Sequence, residues 1–225
     1  MTIQLIDVFS GADSESISTS VRLLLLLTVL SLAPSILILM TCFTRILIVL
    51  SFVRTSLATQ QMPPNQVLIG LALFMSFFIM APTFQEVNEQ ALQPLFEEEI
   101  TLEEAYSTAS VPFKEFMAKY TREKDLALFM NYAEIERPES IEEIPLTSLV
   151  PAFAISELKT AFQMGFMIFV PFLVIDMAVA SVLMSMGMMM LPPVMISLPF
   201  KILLFVLVDG WYLITHALLD GYIPS

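Results

Sequence analysis

One cysteine and one histidine occur among 225 residues, and ten lysines and arginines stand against 22 acids. Cys42, alone, can neither close an intrachain disulfide nor build a cysteine-rich metal site. His216 leaves zinc chemistry short of ligands, because such sites draw on several His and Cys side chains. A net charge of −12 argues against a nucleic-acid partner, since gripping phosphates needs a basic face. HExxH, the Gly-Lys-Ser/Thr phosphate loop, GxGxxG and the GxSxG elbow are all missing. Nucleophilic catalysis would rest on His216 alone, which instead reads as an interfacial residue near a helix end. The sequence therefore predicts no enzyme, no metal and no cofactor.

Apolar residues are abundant. They make up 57% of the chain, above the ~45–50% of a soluble domain, so membrane association is the first expectation. The charge is unevenly placed. Residues 83–149 hold fifteen acids and five bases, which is −10 of the −12. Residues 1–20 form a short arm with Asp7, Asp13 and Glu15 and no Lys or Arg, unlike the positive start of a secretory signal.

Leu23–Val53 is a 31-residue apolar block interrupted only by Arg45. One upright span needs ~20 residues, and Pro34 lies within the block, so a bent helix or helical hairpin is expected. Val67–Ala81, closed by Pro82, is short for a span. Arg45 and Arg54 favour a cytoplasmic connector between these blocks, which would place the acidic segment outside. Within that segment, Thr101 and Glu104 have the spacing of a capping box. Phe113, Phe116, Met117 and Tyr120 recur as one helical stripe. After Pro151, Ser156 can cap a helix, with Glu157 in its first turn.

The chain is thus expected to be all-α and of integral-membrane type, with kinked or hairpin apolar helices and a small inserted acidic helical domain. Its parts are the arm 1–20, a first apolar region 21–82, the acidic domain 83–149 and a second apolar region 150–225. The last holds a methionine-rich loop, 184–193, with five methionines in the seven residues from Met184 to Met190. Gly187 frees the backbone to turn, and Pro192 and Pro193 end a helix. Methionine is flexible and polarizable, so such a cluster packs yet can rearrange.

Asp176 and Lys201 lie in apolar surroundings, where a charge costs about 2.5–3.5 kcal/mol on insertion scales and so seeks a partner. Counted from the loop, they sit about 16 and 12 Å along their helices. At similar depth they could pair within one hairpin or between adjacent copies. One reading is a structural pair and the other a proton relay in an ion- or proton-coupled transporter.

Two long strings carry a resemblance: RLLLLLTVLSLAPSILILMTCFTRILIVLSFVRTSLATQQMPPNQVLIGLALFMSFFIMAPT, and VPAFAISELKTAFQMGFMIFVPFLVIDMAVASVLMSMGMMMLPPVMISLPFKILLFVLVDGW. Residues 22–83 and 150–211 together closely resemble the FliP family of flagellar export-gate proteins, with similarity also to its virulence-secretion counterpart. The resemblance implies a homopentameric ring that joins FliQ-like and FliR-like subunits in the bacterial inner membrane, at the flagellar basal body. It implies a pore for unfolded flagellar proteins, with membrane lipid around parts of the assembly. It further implies a gate at Met186, Met188, Met189 and Met190, and an inter-subunit ion pair of Asp176 with Lys201. Arg45, Arg54 and Glu157 are expected to be structural charges.

Overall fold

The computed structural model describes residues 38–59, 61–135, 138, 140–188 and 191–223, with Leu24, Leu27, Thr28, Ser31 and Ile36 before them. The chain divides into two units, Met1–Ile38 and Leu39–Ser225, and the second holds the core and the charged clusters. The arm 1–20 and Pro34 lie outside the described residues.

Among the described residues the fold is all-helical. In the second unit the helices are α1 (Phe43–Ser56), α2 (Asn65–Val87), α3 (Gln93–Phe96), α4 (Leu102–Tyr120), α5 (Glu123–Tyr132), α6 (Leu146–Ser185), α7 (Pro193–Leu207) and α8 (Gly210–Asp220). A π-helical turn, Asn88–Leu92, joins α2 to α3 so that Asn65–Phe96 runs on as 32 residues.

The core is built on α1. Ile46, Val49, Leu50 and Val53 repeat at the spacing of one helical face and are fully buried. Leu68, Ala72, Met75 and Ile79 of α2 and Ala161 of α6 meet them. Where α6 crosses α1, Gly165 allows a close approach: a Cβ there would lie 2.4 Å from the Phe52 ring. A second cluster gathers Met40, Met117, Ile144, Leu149 and Phe153. The stripe on α4 thus packs on the first turns of α6, with the Phe116 and Phe153 rings 6.0 Å apart. The capping box forms as the sequence predicts. The Thr101 N–H donates to Glu104 Oε2 at 2.8 Å, and the Glu104 N–H to Thr101 Oγ1 at 3.3 Å.

Three expectations change. Pro82 does not close the second block but lies inside α2. An interior proline removes one backbone bond, and in an apolar setting the remaining groups still gain most by staying helical. Both ends of the acidic segment likewise run into apolar helices without a break, since 82/83 falls within α2 and 149/150 within α6. Finally, Ser156 caps no helix start and Glu157 is in no first turn, because α6 begins ten residues earlier, at Leu146. Ser156 instead serves α5: its hydroxyl accepts from the Arg122 N–H at 3.1 Å and donates to Asp125 at 2.7 Å.

Asn65–Phe96 and Leu146–Ser185 are long and apolar enough to cross a membrane. At 1.5 Å per residue, the 40 residues of α6 reach about 60 Å, twice the ~30 Å hydrocarbon core. From Phe162 onward its large side chains match lipid: Phe162, Phe166, Met167, Leu173, Val174 and Met177 are exposed, whereas Glu157 is buried. The α7–α8 pair would make a third span if it acts as one, bent by 61°. The bend falls at Asp209, whose φ is 50°.

Candidate functional site

The loop after α6 is a tightly specified turn. Gly187 has φ 75°, a region in which a side chain is strained. The Gly187 N–H donates to the Met184 carbonyl at 3.0 Å, and the Met188 N–H to the Leu183 carbonyl at 3.0 Å. Those two bonds constitute a Schellman motif, which satisfies carbonyls that the ending helix would leave open. Pro192 then precedes α7, and Pro193 takes its first position, where a missing N–H does no harm. The turn presents Met184, Met186 and Met188, each exposed by 44% or more. Met189 and Met190 lie outside the described residues.

Behind the turn, α6 and α7 are clasped by charge. Lys201 Nζ lies 2.6 Å from Asp176 Oδ2 within the one chain. Both partners do sit at similar depth, and the pair that the family likeness offered as an inter-subunit contact closes inside the hairpin. The Ser197 hydroxyl donates to Asp176 Oδ1 at 2.5 Å. Lys201 also donates to the Ser56 carbonyl at 3.2 Å, at the negative end of α1. The Lys201 side chain is 3% exposed and that of Asp176 26%. On α7, Ser197, Lys201 and Phe205 form the buried face, so two of its three inward residues are polar.

A second buried cluster stands at the start of α1. Arg45 donates through Nη2 to Glu157 Oε1, and the Tyr222 hydroxyl donates to Glu157 Oε2. The guanidinium lies 4.1 Å from the Tyr222 ring centroid and 5.8 Å from that of Tyr120. A cation over an aromatic face is attracted by the ring's quadrupole. Arg45 is therefore held inside the protein, 5% exposed, and carries no weight as a loop charge in the positive-inside argument. Arg54 lies in the last turn of α1 and reaches across the connector, donating to the Pro63 carbonyl at 3.3 Å and to Asn65 Oδ1 at 2.5 Å. His216 is exposed within α8 and pairs with Asp220 at 2.7 Å, one turn on.

The structure thus brings Asp176 to Lys201 and Arg45 to Glu157. Ser197, the Ser56 carbonyl, Tyr120 and Tyr222 complete the two clusters and were missed. Serines and tyrosines bear no formal charge, so nothing in an apolar run marks them. Among the described residues no group of three or more His, Cys, Asp or Glu is placed to hold a metal ion.

Residues 26–218 match the family model of the FliP family. The chain belongs to the FliP family. It is 74% identical over 219 residues to the flagellar biosynthetic protein FliP of Bacillus subtilis, covering 97% of this chain and 99% of that one. Its namesake in Caulobacter vibrioides is 54% identical over 202 residues, with 90% and 76% covered. That of Aquifex aeolicus is 51% identical over 205 residues, with 90% and 86% covered. Membership makes the chain a structural component of the flagellar protein-export apparatus, with apolar helices of membrane-spanning length.

Proposed function

We propose that the chain forms the pore of the flagellar export gate, with the methionine turn as its seal. Copies converge in a ring, five by the family likeness, joined by FliQ-like and FliR-like subunits in the bacterial cell membrane at the flagellar basal body. Unfolded flagellar proteins pass through the ring. The acidic segment 83–149 faces the extracytoplasmic side. The observation that carries the reading is the hairpin tip: exposed methionines on a turn whose backbone is bonded at both positions and whose stem is clasped by a buried ion pair. Flexible side chains on a firmly placed backbone suit a seal that must exclude ions at rest and reshape around cargo. An apolar ring can dewet when closed, and methionine repacks at little cost.

The clasp also speaks for a structural role of Asp176 and Lys201 over a proton relay. The Lys201 ammonium is held between a carboxylate and a helix-terminal carbonyl. The test is ion conductance of the assembled complex in a bilayer. Replacing Met186, Met188, Met189 and Met190 with Ala should raise the resting leak while assembly persists; an unchanged leak refutes the seal.

A further inference from the structure

We propose that the turn after α8 is a strap, in which Tyr222 completes the buried Arg45–Glu157 pair and thereby positions the helices that bear the methionine hairpin. The inference stands on the geometry around Tyr222; only its consequence for the gate rests on the proposed function.

Tyr222 is 4% exposed and is held by five contacts. Its hydroxyl donates to Glu157 Oε2. Its ring lies beneath the Arg45 guanidinium and stacks on Phe116, with centroids 6.1 Å apart and planes 14° apart. Tyr120 meets the same ring edge-on at 4.8 Å. The Tyr120 hydroxyl donates to the Tyr222 carbonyl at 2.7 Å. One residue therefore touches α1, α4 and α6 from the end of α8.

The chemistry makes this more than packing. Glu157 is fully buried, and its second carboxylate oxygen is bonded by Tyr222. Arg45 Nε has no hydrogen-bond partner, so that charge is met by one carboxylate and two aromatic faces. Burial, and then the nearby Glu157 carboxylate, push the Tyr222 phenol far above its ordinary pKa. The hydroxyl is thus a donor at any pH the protein meets.

The strap also mirrors the clasp. Arg45 opens α1 and the Ser56 carbonyl closes it. Glu157 and Asp176 lie 19 residues apart on α6, about 28 Å along its axis. Lys201 lies midway along α7, and Tyr222 lies just after α8. The bent α7–α8 pair is consequently pinned to α1 and α6 at mid-α7 and just past α8, with the Asp209 elbow between the pins. Releasing Tyr222 leaves α8 held by Ile214 and Leu218 in the core and by the elbow, and removes the polar anchor at its far end.

Amide hydrogen exchange on the detergent-extracted full chain tests this. Tyr222→Phe keeps the ring and removes only the donor. It should speed exchange in α8 by about tenfold or more, the scale of a lost hydrogen bond to a charged group. Exchange in α5, whose polar bonds run to Ser156 and not to Tyr222, should change far less. In a Glu157→Gln background the same change should have a clearly smaller effect, because the charged acceptor is gone. A merely space-filling role predicts that Tyr222→Phe behaves as wild type and only Tyr222→Leu is impaired, which overturns the proposal. If Tyr222→Phe does not yield folded protein, Tyr120→Phe removes the bond to the Tyr222 carbonyl and should loosen α8 more mildly; no change there also overturns it. A loosened α8 with an unchanged ion leak keeps the strap and rejects its link to the gate.

Discussion

The clasp between α6 and α7 makes an asymmetric prediction. Lys201 is nearly sealed from water, whereas Asp176 keeps about a quarter of its side chain exposed and a second bond from Ser197. Asp176→Asn strands a buried ammonium with only neutral oxygens. Breaking a buried pair costs about 3–5 kcal/mol, and the remaining Ser56 carbonyl should hold the loss to roughly 3 kcal/mol. Lys201→Met strands a carboxylate that still has a donor and some water, so about 1–2 kcal/mol is expected, including the donor lost to the Ser56 carbonyl. The double variant removes both charges and should fall near the Lys201→Met value, a coupling of about 3 kcal/mol. Unfolding of the detergent-extracted chain, compared across the three variants, reads the order. If Lys201→Met proves the more damaging, or the double variant is additive, the intrachain clasp is wrong. A charge swap separates the two geometries further. Asp176→Lys with Lys201→Asp would set a carboxylate against the Ser56 carbonyl at the negative end of α1, so it should not restore stability. Full restoration would instead favour a contact between copies that needs only opposite signs.

Two further outcomes are set by local geometry. Gly165→Ala would drive a methyl into the Phe52 ring, 2.4 Å away, and should destabilise the α1–α6 crossing by about 1–3 kcal/mol in the same unfolding assay, with Phe52→Ala in the same chain relieving part of it. At the start of α4, the Thr101 backbone N–H and then its hydroxyl hold the Glu104 carboxyl below its ordinary pKa. The capping box therefore supports the helix at neutral pH, and the support is lost as pH falls through the lowered value. Proton titration followed by NMR at the Thr101 and Glu104 amides should show that fraying, and Glu104→Gln should flatten it.

Much of the fold is written in short-range patterns. The capping box spans four residues, the buried face of α1 repeats every three or four, and the Gly187 turn is marked by a glycine and two prolines. The Asp176–Lys201 pair was readable because one turn places both residues at the same depth. Helix boundaries were harder. Pro82 and Pro151 lie within helices because long apolar segments satisfy their backbones internally, which overrides the local preference of a proline to stop them.

The second cluster was half-readable, and the half that was missed explains why. An arginine inside an apolar block demands a partner, and depth already assigns Lys201 to Asp176. Glu86, Glu157, Asp209 and Asp220 then remain as acids within or bordering the apolar helices. Glu157, 112 residues from Arg45, could be reached as one of those four. Tyr222 could not. Its bonds to Glu157 and from Tyr120 cross 65 and 102 residues. A neutral phenol raises no charge imbalance for sequence reasoning to resolve. Yet burial makes it matter most, since a carboxylate withdrawn from water needs every donor within reach. The residues that a formal charge count overlooks are therefore the ones that determine whether a buried ion pair can hold.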